Sequence, residues 1–128
     1  MERKTILCVD DDPFFGELYR AVLEPKGYVV EWAKNAGEGY DAWRRLKPDL
    51  IVLDVMMPEM AGFRDGYDLL ERVRKESVGA MTPVVMVTAI GGADDIRHGL
   101  ELGATAYLAK QDMVPETLVE TIKKHLGE

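Results

Sequence analysis

Short runs of mostly apolar residues alternate along the chain with longer segments in which apolar residues recur every three or four positions. The short runs cover residues 5–9, 28–32, 50–53, 83–87 and 105–109. Runs of this length that are rich in branched residues are typical of strands buried on both faces of a sheet, whereas the longer segments have the spacing of amphipathic helices. The pattern therefore predicts strands and helices in alternation.

Five helices are predicted from this spacing and from residues that begin or end a helix. They cover about residues 13–24, 36–46, 67–75, 93–102 and 115–126, and a loop is predicted over 77–82. Pro13 and Pro115 suit the first position of a helix, and Asp12 and Asn35 suit the caps of the first and second helices. The residues predicted to face the core from the first and fourth helices are Phe14, Phe15, Leu18, Val22, Ile96 and Leu100.

The order of these elements predicts the fold class. Strands that alternate with helices are joined by right-handed crossovers, which produce a parallel sheet with helices on both faces. The sequence therefore predicts a doubly wound α/β fold with five strands and five helices. A length of 128 residues suits one core, so residues 1–128 are expected to form a single domain.

Composition and charge argue against several classes of protein. No apolar run approaches the roughly 18 residues of a membrane span, and the chain does not begin like a secretory signal, so we expect a cytoplasmic protein without membrane contact. The net charge of −7 would repel the phosphates of a nucleic acid, so direct nucleic-acid binding is not expected. Cys8 is expected to be a small buried residue of the first strand.

Polar residues follow four of the predicted strands at the points where these strands end. Asp10 and Asp11 follow the first strand, Asp54 the third, Thr88 the fourth and Lys110 the fifth. The carboxyl ends of parallel strands lie at one edge of the sheet, where open α/β sheets bind their ligands. We therefore expect these side chains to share one crevice, with Asp54 at its centre.

Three carboxylates in one crevice require a compensating cation. Two carboxylates about 5 Å apart repel by roughly 3 kcal/mol at an effective dielectric constant near 20. A pocket of acidic oxygen ligands suits Mg²⁺, which keeps several waters and binds phosphate oxygens, with Mn²⁺ as a substitute. The sequence thus predicts a magnesium site at Asp10, Asp11 and Asp54.

The same crevice contains groups that are suited to phosphoryl transfer. Asp54 can act as the nucleophile and form an acyl phosphate, since a carboxylate needs no separate base. The hydroxyl of Thr88 and the ammonium of Lys110 can each contact one phosphoryl oxygen. Asp54, Thr88 and Lys110 are therefore the predicted catalytic residues.

Five segments resemble one protein family over essentially the full length of the chain. They are residues 6–11 (ILCVDD), 49–58 (DLIVLDVMMP), 83–89 (PVVMVTA), 103–104 (GA) and 107–110 (YLAK). In this order and spacing they resemble the receiver domain of bacterial two-component response regulators, of the stand-alone, chemotaxis-regulator-like type. The resemblance implies a flavodoxin-like sheet with the strand order 2-1-3-4-5.

The resemblance also implies a reaction and a set of metal ligands. Asp54 would accept the phosphoryl group of a phosphohistidine, supplied by a sensor histidine kinase or by the phosphotransfer protein of a phosphorelay. Asp11, Asp54 and the backbone carbonyl of Met56 would bind Mg²⁺ directly, and Asp10 would act mostly through water.

A signalling switch is the function that these roles imply. Thr88 and Tyr107 would couple phosphorylation to the surface of the fourth helix, fifth strand and fifth helix, where a downstream protein would read the residues around His98, Tyr107 and Lys123. The chain would catalyse its own phosphorylation and dephosphorylation but act mainly as a switch. Two alternatives stay open: a receiver used as a docking module without phosphorylation, and a receiver excised from a hybrid kinase or larger regulator.

Two positions depart from the family's usual pattern. Residues 61–64 (AGFR) are an insertion before the usual Asp-Gly pair. Phe63 and Arg64 would either shield the phosphorylated site, alter kinase docking or form a harmless surface bulge. Gln111 stands where the family most often has a proline in a cis peptide, so we expect a trans peptide bond there and a different path for the loop.

Overall fold

Strands and helices alternate throughout the computed structural model, which describes residues 3–76, 81–89 and 91–128. The strands are β1 (Thr5–Val9), β2 (Val29–Ala33), β3 (Leu50–Leu53), β4 (Val84–Thr88) and β5 (Ala106–Ala109). The helices are α1 (Pro13–Leu23), α2 (Ala36–Leu46), α3 (Gly66–Lys75), α4 (Ala93–Glu101) and α5 (Pro115–Leu126). None of the helices so described is long and apolar enough to cross a membrane. Residues 77–80 of the predicted loop lie outside the described residues.

The strands form one parallel sheet in the order β2-β1-β3-β4-β5. This order confirms both the doubly wound fold and the topology that the family resemblance implied. Alternate residues of β1 point to opposite faces, so Leu7 belongs to the core under α2 and α3, whereas Ile6 and Cys8 belong to the core under α1 and α5. Because the strands are parallel, their carboxyl ends meet at one edge, and the loops that follow them meet there too.

Side-chain caps fix the points at which three helices begin. Asp12, Asn35 and Asp65 accept hydrogen bonds of 2.9, 2.8 and 3.2 Å from backbone N–H groups in the first turns of α1, α2 and α3. These bonds satisfy donors that a helix leaves unpaired. The caps predicted at Asp12 and Asn35 are therefore confirmed, and they end the short loops that follow β1 and β2.

The predicted inward stripes of α1 and α4 are wrong at Phe14 and Leu100, whereas Phe15 and Val22 do pack against the core. Phe14 is 67% exposed, and the helix buries Tyr19 and Leu23 instead. Positions 14, 18 and 22 have the same spacing as 15, 19 and 23, so the hydrophobic pattern cannot distinguish the two stripes. Leu100 is 46% exposed, because α4 turns the buried Gly99 toward the sheet, where a β-carbon would lie 3.2 Å from the ring of the tyrosine in β5.

The insertion that follows Met60 forms a tight turn. The backbones of Met60 and Phe63 exchange hydrogen bonds of 2.9 and 3.0 Å across Ala61 and Gly62, whose φ angles are 53° and 87°. Phe63 is only 7% exposed, and its ring centroid lies 5.7 Å from that of Tyr40 in α2. The insertion thus adds an aromatic residue to the core, which is not what a surface bulge would do.

The chain leaves β5 through a short 3-10 helix, Lys110–Asp112. The described residues contain no cis peptide bond, which agrees with the trans bond expected at Gln111. Lys110 is the first residue of this 3-10 helix, at the carboxyl edge of the sheet. Its side chain extends along that edge toward the ends of β1 and β3.

Candidate functional site

Three aspartates lie together at the carboxyl edge of the sheet. Asp10 and Asp11 follow β1 and Asp54 follows β3, and the N–H of Asp54 donates to the carbonyl of Val9 at 2.9 Å. One carboxylate oxygen from each aspartate lies within 4.8 Å of the other two. Asp10 and Asp54 are 0% and 3% exposed, whereas Asp11 is exposed. The three residues therefore form a buried acidic cluster with one side open to solvent.

Lys110 lies between two of these carboxylates. Its Nζ is 2.9 Å from Oδ2 of Asp10 and 3.3 Å from Oδ2 of Asp54, and the side chain is 12% exposed. Burial lowers the pKa of the Lys110 ammonium, but the hydrogen bond to Asp10 and the charge of Asp54 outweigh this effect, so the pKa lies above its usual value. One ammonium among three carboxylates leaves an excess of negative charge that a divalent cation would balance.

Several donors hold Asp10. Its Oδ1 accepts the backbone N–H of Asp12 at 2.9 Å, and its Oδ2 accepts the Tyr19 hydroxyl at 3.3 Å as well as the Lys110 ammonium. The indole N–H of Trp32 in β2 donates to the backbone carbonyl of Asp10 at 2.8 Å. Burial raises the pKa of the Asp10 carboxyl, and the hydrogen bonds from Asp12 and Lys110 oppose that rise. Both oxygens of this carboxylate thus have protein partners.

Thr88 ends β4 with an unsatisfied hydroxyl. The residue is 0% exposed, and its Oγ1 has no hydrogen-bond partner among the described residues. The sheet register pairs Thr88 with Ala109, the residue that precedes Lys110, so the ends of β4 and β5 lie side by side. A buried hydroxyl without a partner costs free energy, which a bound oxygen ligand would offset.

Of the other predicted residues, Met56 lies beside this centre, whereas Tyr107 and His98 lie on β5 and α4. The N–H of Met56 donates to Oδ1 of Asp54 at 3.3 Å, which brings the Met56 backbone beside the acidic cluster. Tyr107 is half-buried on β5 and forms a hydrogen bond with Tyr67 of α3, whose ring lies 4.6 Å from that of His98 in α4. Tyr67 therefore connects the predicted switch residue Tyr107 to the helix that precedes β5.

The insertion directs its two long side chains toward α2 and α3. Phe63 contacts Tyr40, and the Arg64 guanidinium donates two hydrogen bonds of 2.9 and 2.8 Å to the carboxylate of Asp68. These contacts stabilise the start of α3 and its packing on α2. They give no support to the idea that Phe63 and Arg64 shield Asp54.

Sequence reasoning missed three aromatic residues that surround the pair formed by Asp10 and Lys110. Besides Tyr19 and Trp32, Phe15 places its ring centroid 4.1 Å from Nζ of Lys110. The sequence feature that could have identified Phe15 and Tyr19 is their separation of four residues, shortly after the aspartates. This separation puts both residues on one face of α1. Because the apolar pattern favours the neighbouring stripe, that face was not predicted to reach the site.

The ligands that fit this arrangement can be stated from its donor set. The acidic cluster offers carboxylate oxygens only, the ligands that Mg²⁺ and Mn²⁺ prefer, with no histidine or cysteine among its described members. A cation at the cluster, the Lys110 ammonium and the unpaired hydroxyl of Thr88 would together surround an anion bound at Asp54. The crevice therefore has the groups needed to hold a divalent cation together with a phosphoryl group.

Comparison with known proteins places the chain in a family. Residues 6–123 match the response regulator receiver domain. The chain is 39% identical over 113 residues to the DNA-binding dual master transcriptional regulator RpaA of Synechocystis, an alignment that covers 88% of this chain and 45% of that protein. The chain thus spans about half the length, or less, of several curated relatives that it matches.

Solved structures share the fold over nearly the whole chain. A CheY-like response regulator receiver domain protein from Methanospirillum hungatei has a TM-score of 0.88 and 33% identity, with 98% of this chain and 95% of that chain covered. The BeF3-activated N-terminal receiver domain of RstA from Klebsiella pneumoniae has a TM-score of 0.87 and 29% identity, with 98% and 100% covered. Because the family match and the shared fold both extend over almost all of its length, the chain belongs to the family of response regulator receiver domains.

Proposed function

We propose that this chain is a phosphoacceptor signalling domain in which Asp54 receives a phosphoryl group from a sensor histidine kinase or a phosphotransfer protein. The observation that carries the proposal is the position of the Lys110 ammonium, 3.3 Å from a carboxylate oxygen of Asp54 inside an acidic cluster. A structural salt bridge would not require two further carboxylates and an unpaired buried hydroxyl at the same sheet edge. A phosphoryl-accepting site requires all of them.

The proposed reaction is an in-line transfer to a carboxylate oxygen of Asp54. A new P–O bond forms to Asp54 while the P–N bond of the phosphohistidine breaks, and the electron pair of that bond returns to the imidazole nitrogen. The attacking carboxylate loses no proton, so the site needs no general base. Lys110 and Thr88 each contact one phosphoryl oxygen and offset the charge that gathers there.

The proposed metal ligands are the side chains of Asp11 and Asp54 and the backbone carbonyl of Met56, with Asp10 acting through water. Mg²⁺, or Mn²⁺ in its place, supplies charge neutralisation to the phosphoryl oxygens when it is bound. The indirect role of Asp10 is supported by its hydrogen bonds, because both of its carboxylate oxygens already accept protein donors. The direct role of Asp11 is supported by its exposure, which leaves its carboxylate accessible.

The proposed switch starts at Thr88 and Lys110. A phosphoryl group adds about −1.5 to −2 charges at Asp54 and draws both side chains toward it, which biases an existing equilibrium of the loops after β4 and β5. Tyr107 then moves with Thr88 and alters the surface formed by α4, β5 and α5. A downstream protein would read that surface around His98 and Lys123, both of which are exposed.

We further propose that residues 1–128 act as a single receiver domain in the cytoplasm and catalyse their own phosphorylation and dephosphorylation. The curated relatives that extend well beyond this length leave two arrangements open, a stand-alone regulator and one part of a larger regulator or hybrid kinase. The second candidate function, a docking module that is not phosphorylated, shares every feature of the fold. It differs only in the chemistry of Asp54.

The test is labelling with acetyl phosphate, followed by mass spectrometry of the intact protein. We expect the mass to increase by one phosphoryl group in the presence of Mg²⁺, with no increase after chelation by EDTA and none in Asp54→Asn. Asp41→Asn is a matched control, because Asp41 is an exposed aspartate on α2. Labelling that persists in Asp54→Asn, or fails in the unaltered protein, would contradict the proposal and favour the docking module.

A further inference from the structure

We propose that Tyr19 is a positioning residue of the phosphoryl-accepting centre. Its hydroxyl keeps the Asp10 carboxylate in place when Lys110 turns from Asp10 to the phosphoryl group. The proposal rests on the proposed function, since it concerns what happens to Asp10 once Asp54 carries phosphate. It adds a residue of α1 to a site otherwise built from the ends of strands.

The position of Tyr19 singles it out among the tyrosines of the chain. It is 1% exposed, and its hydroxyl donates to Oδ2 of Asp10 at 3.3 Å. Burial raises the pKa of the Tyr19 phenol above its usual value, so the hydroxyl keeps its proton and acts as a donor. A phenylalanine at this position would fill the same part of the core, so packing alone does not account for the hydroxyl of Tyr19.

The hydrogen bonds of Asp10 divide between two oxygens. Oδ1 accepts one backbone N–H, from Asp12 at 2.9 Å. Oδ2 is shared by two side-chain donors, Lys110 at 2.9 Å and Tyr19 at 3.3 Å. The shorter contact belongs to the cation, so in the unphosphorylated protein Lys110 is the main partner of Oδ2 and Tyr19 is the second one.

Phosphorylation changes this division. Lys110 already lies 3.3 Å from Oδ2 of Asp54, and a phosphoryl group on Asp54 draws the ammonium away from Asp10. Asp10 is 0% exposed, so bulk water cannot supply a replacement donor, and only the metal-bound water proposed above could approach its carboxylate from outside the protein. Tyr19 is then the remaining side-chain donor to Oδ2 among the hydrogen bonds of the described residues, and it keeps a protein partner on this buried carboxylate oxygen.

Phe15, on the same helix, contacts the Lys110 ammonium. It lies one turn before Tyr19 on the buried face of α1, and its ring centroid is 4.1 Å from Nζ of Lys110. The ring provides a favourable surface for the ammonium and separates it from solvent on that side. Residues of one helix face therefore contact both members of the pair, and α1 limits the movement of Lys110 to the space between Asp10 and Asp54.

The experiment compares two states of Tyr19→Phe, which removes only the hydroxyl. Calorimetry gives the affinity for Mg²⁺ in the unphosphorylated protein, and titration with beryllofluoride at saturating Mg²⁺ gives the affinity for a phosphoryl mimic at Asp54. Because Lys110 still holds Asp10 in the first state, we expect the Mg²⁺ affinity to change less than about twofold. In the second state we expect the beryllofluoride affinity to fall about tenfold, as for the loss of a hydrogen bond to a buried charged group.

Tyr28→Phe is the matched control. Tyr28 is also a buried tyrosine that donates to a carboxylate, Glu128 at 2.7 Å, but it lies at the opposite end of β2 from the site. Its substitution should leave both affinities unchanged. Equal losses in the two states for Tyr19→Phe, or affinities the same as those of Tyr28→Phe, would overturn the role of Tyr19. If the unaltered protein binds neither Mg²⁺ nor beryllofluoride, the proposed function itself fails.

A measurement on the unaltered protein covers the case in which Tyr19→Phe does not fold. The Tyr19 hydroxyl proton should be visible by NMR and should exchange slowly with solvent after addition of Mg²⁺ and beryllofluoride, because its hydrogen bond to Asp10 becomes the main one. A hydroxyl proton that exchanges faster in this complex than in the unphosphorylated protein would contradict the proposal.

Discussion

Thr88 and Asp10 are two buried polar groups of one site that differ in their hydrogen bonding. Asp10 has a partner for each carboxylate oxygen, whereas Thr88 Oγ1 has none among the described residues. A fully satisfied group is fixed, and an unsatisfied group is prepared to bind something else. The unphosphorylated protein therefore carries a small free-energy cost at Thr88 that phosphorylation would remove.

Thr88→Val tests this cost. Valine has the shape of threonine without the hydroxyl, so we expect the unphosphorylated protein to gain about 1 kcal/mol in the free energy of unfolding, measured with urea. The same variant should lose most of the amide shift changes of β5 that beryllofluoride causes. Thr105→Val is the control, because Thr105 Oγ1 accepts the N–H of Val84 at 3.0 Å, and its loss should destabilise the protein. Destabilisation by both variants would show that the Thr88 hydroxyl has a partner.

Residues at strand ends were predictable and their aromatic neighbours were not. Asp10, Asp54 and Lys110 were expected to meet because parallel strands have to bring their carboxyl ends together. The contacts of Tyr19 and Phe15 depend on the rotation of α1 about its axis, and a shift of one residue would turn both away from the site. No sequence pattern of apolar residues fixes that rotation to within one residue.

Helix and strand boundaries followed closely from the sequence because each is marked by a local signal. Caps and prolines begin α1, α2 and α5, and every described boundary lies within one residue of the predicted one. The faces of α1 and α4 were less predictable, since two stripes of equal spacing compete in α1 and a glycine faces the sheet in α4. Boundaries depend on neighbouring residues, whereas faces depend on the rest of the fold.

The turn made by the insertion was also beyond prediction, and Phe63→Ala tests its importance. Phe63 is buried against Tyr40, so its truncation should lower the free energy of unfolding by about 3 kcal/mol in urea denaturation. Met60→Ala removes an exposed side chain at the other end of the same turn and should cost less than about 0.5 kcal/mol. Because the contacts of the insertion lie on α2 and α3, acetyl phosphate should label folded Phe63→Ala at the unaltered rate. A slower rate would revive the shielding role.

The whole molecule carries a net charge of −7, and its acidic cluster is part of that excess. A cation that binds only the folded state stabilises it by mass action, by about 2.7 kcal/mol when its concentration is 100 times the Kd. We therefore expect Mg²⁺ to raise the melting temperature, and EDTA to reverse the effect. Sodium chloride at equal ionic strength separates specific binding from screening, and an equal rise with both salts would contradict a metal site.

The overall fold was the most predictable property, because a regular alternation of strands and helices allows few topologies. The chemistry of the sheet edge followed from it. The proteins that, under the proposed function, donate the phosphoryl group and bind the output surface are recognised by side chains on the outer faces of the helices rather than by the fold. The surfaces of α1 and α4 that the hydrophobic pattern assigned wrongly, around Phe14 and Leu100, are exposed to such proteins.

The ammonium of Lys110 between Asp10 and Asp54 has a physiological consequence. It is a counter-ion that belongs to the chain itself, so under the proposed function the crevice would keep its shape without bound Mg²⁺. Loss of the ion would then stop phosphorylation without unfolding the site, and its return would restore the reaction.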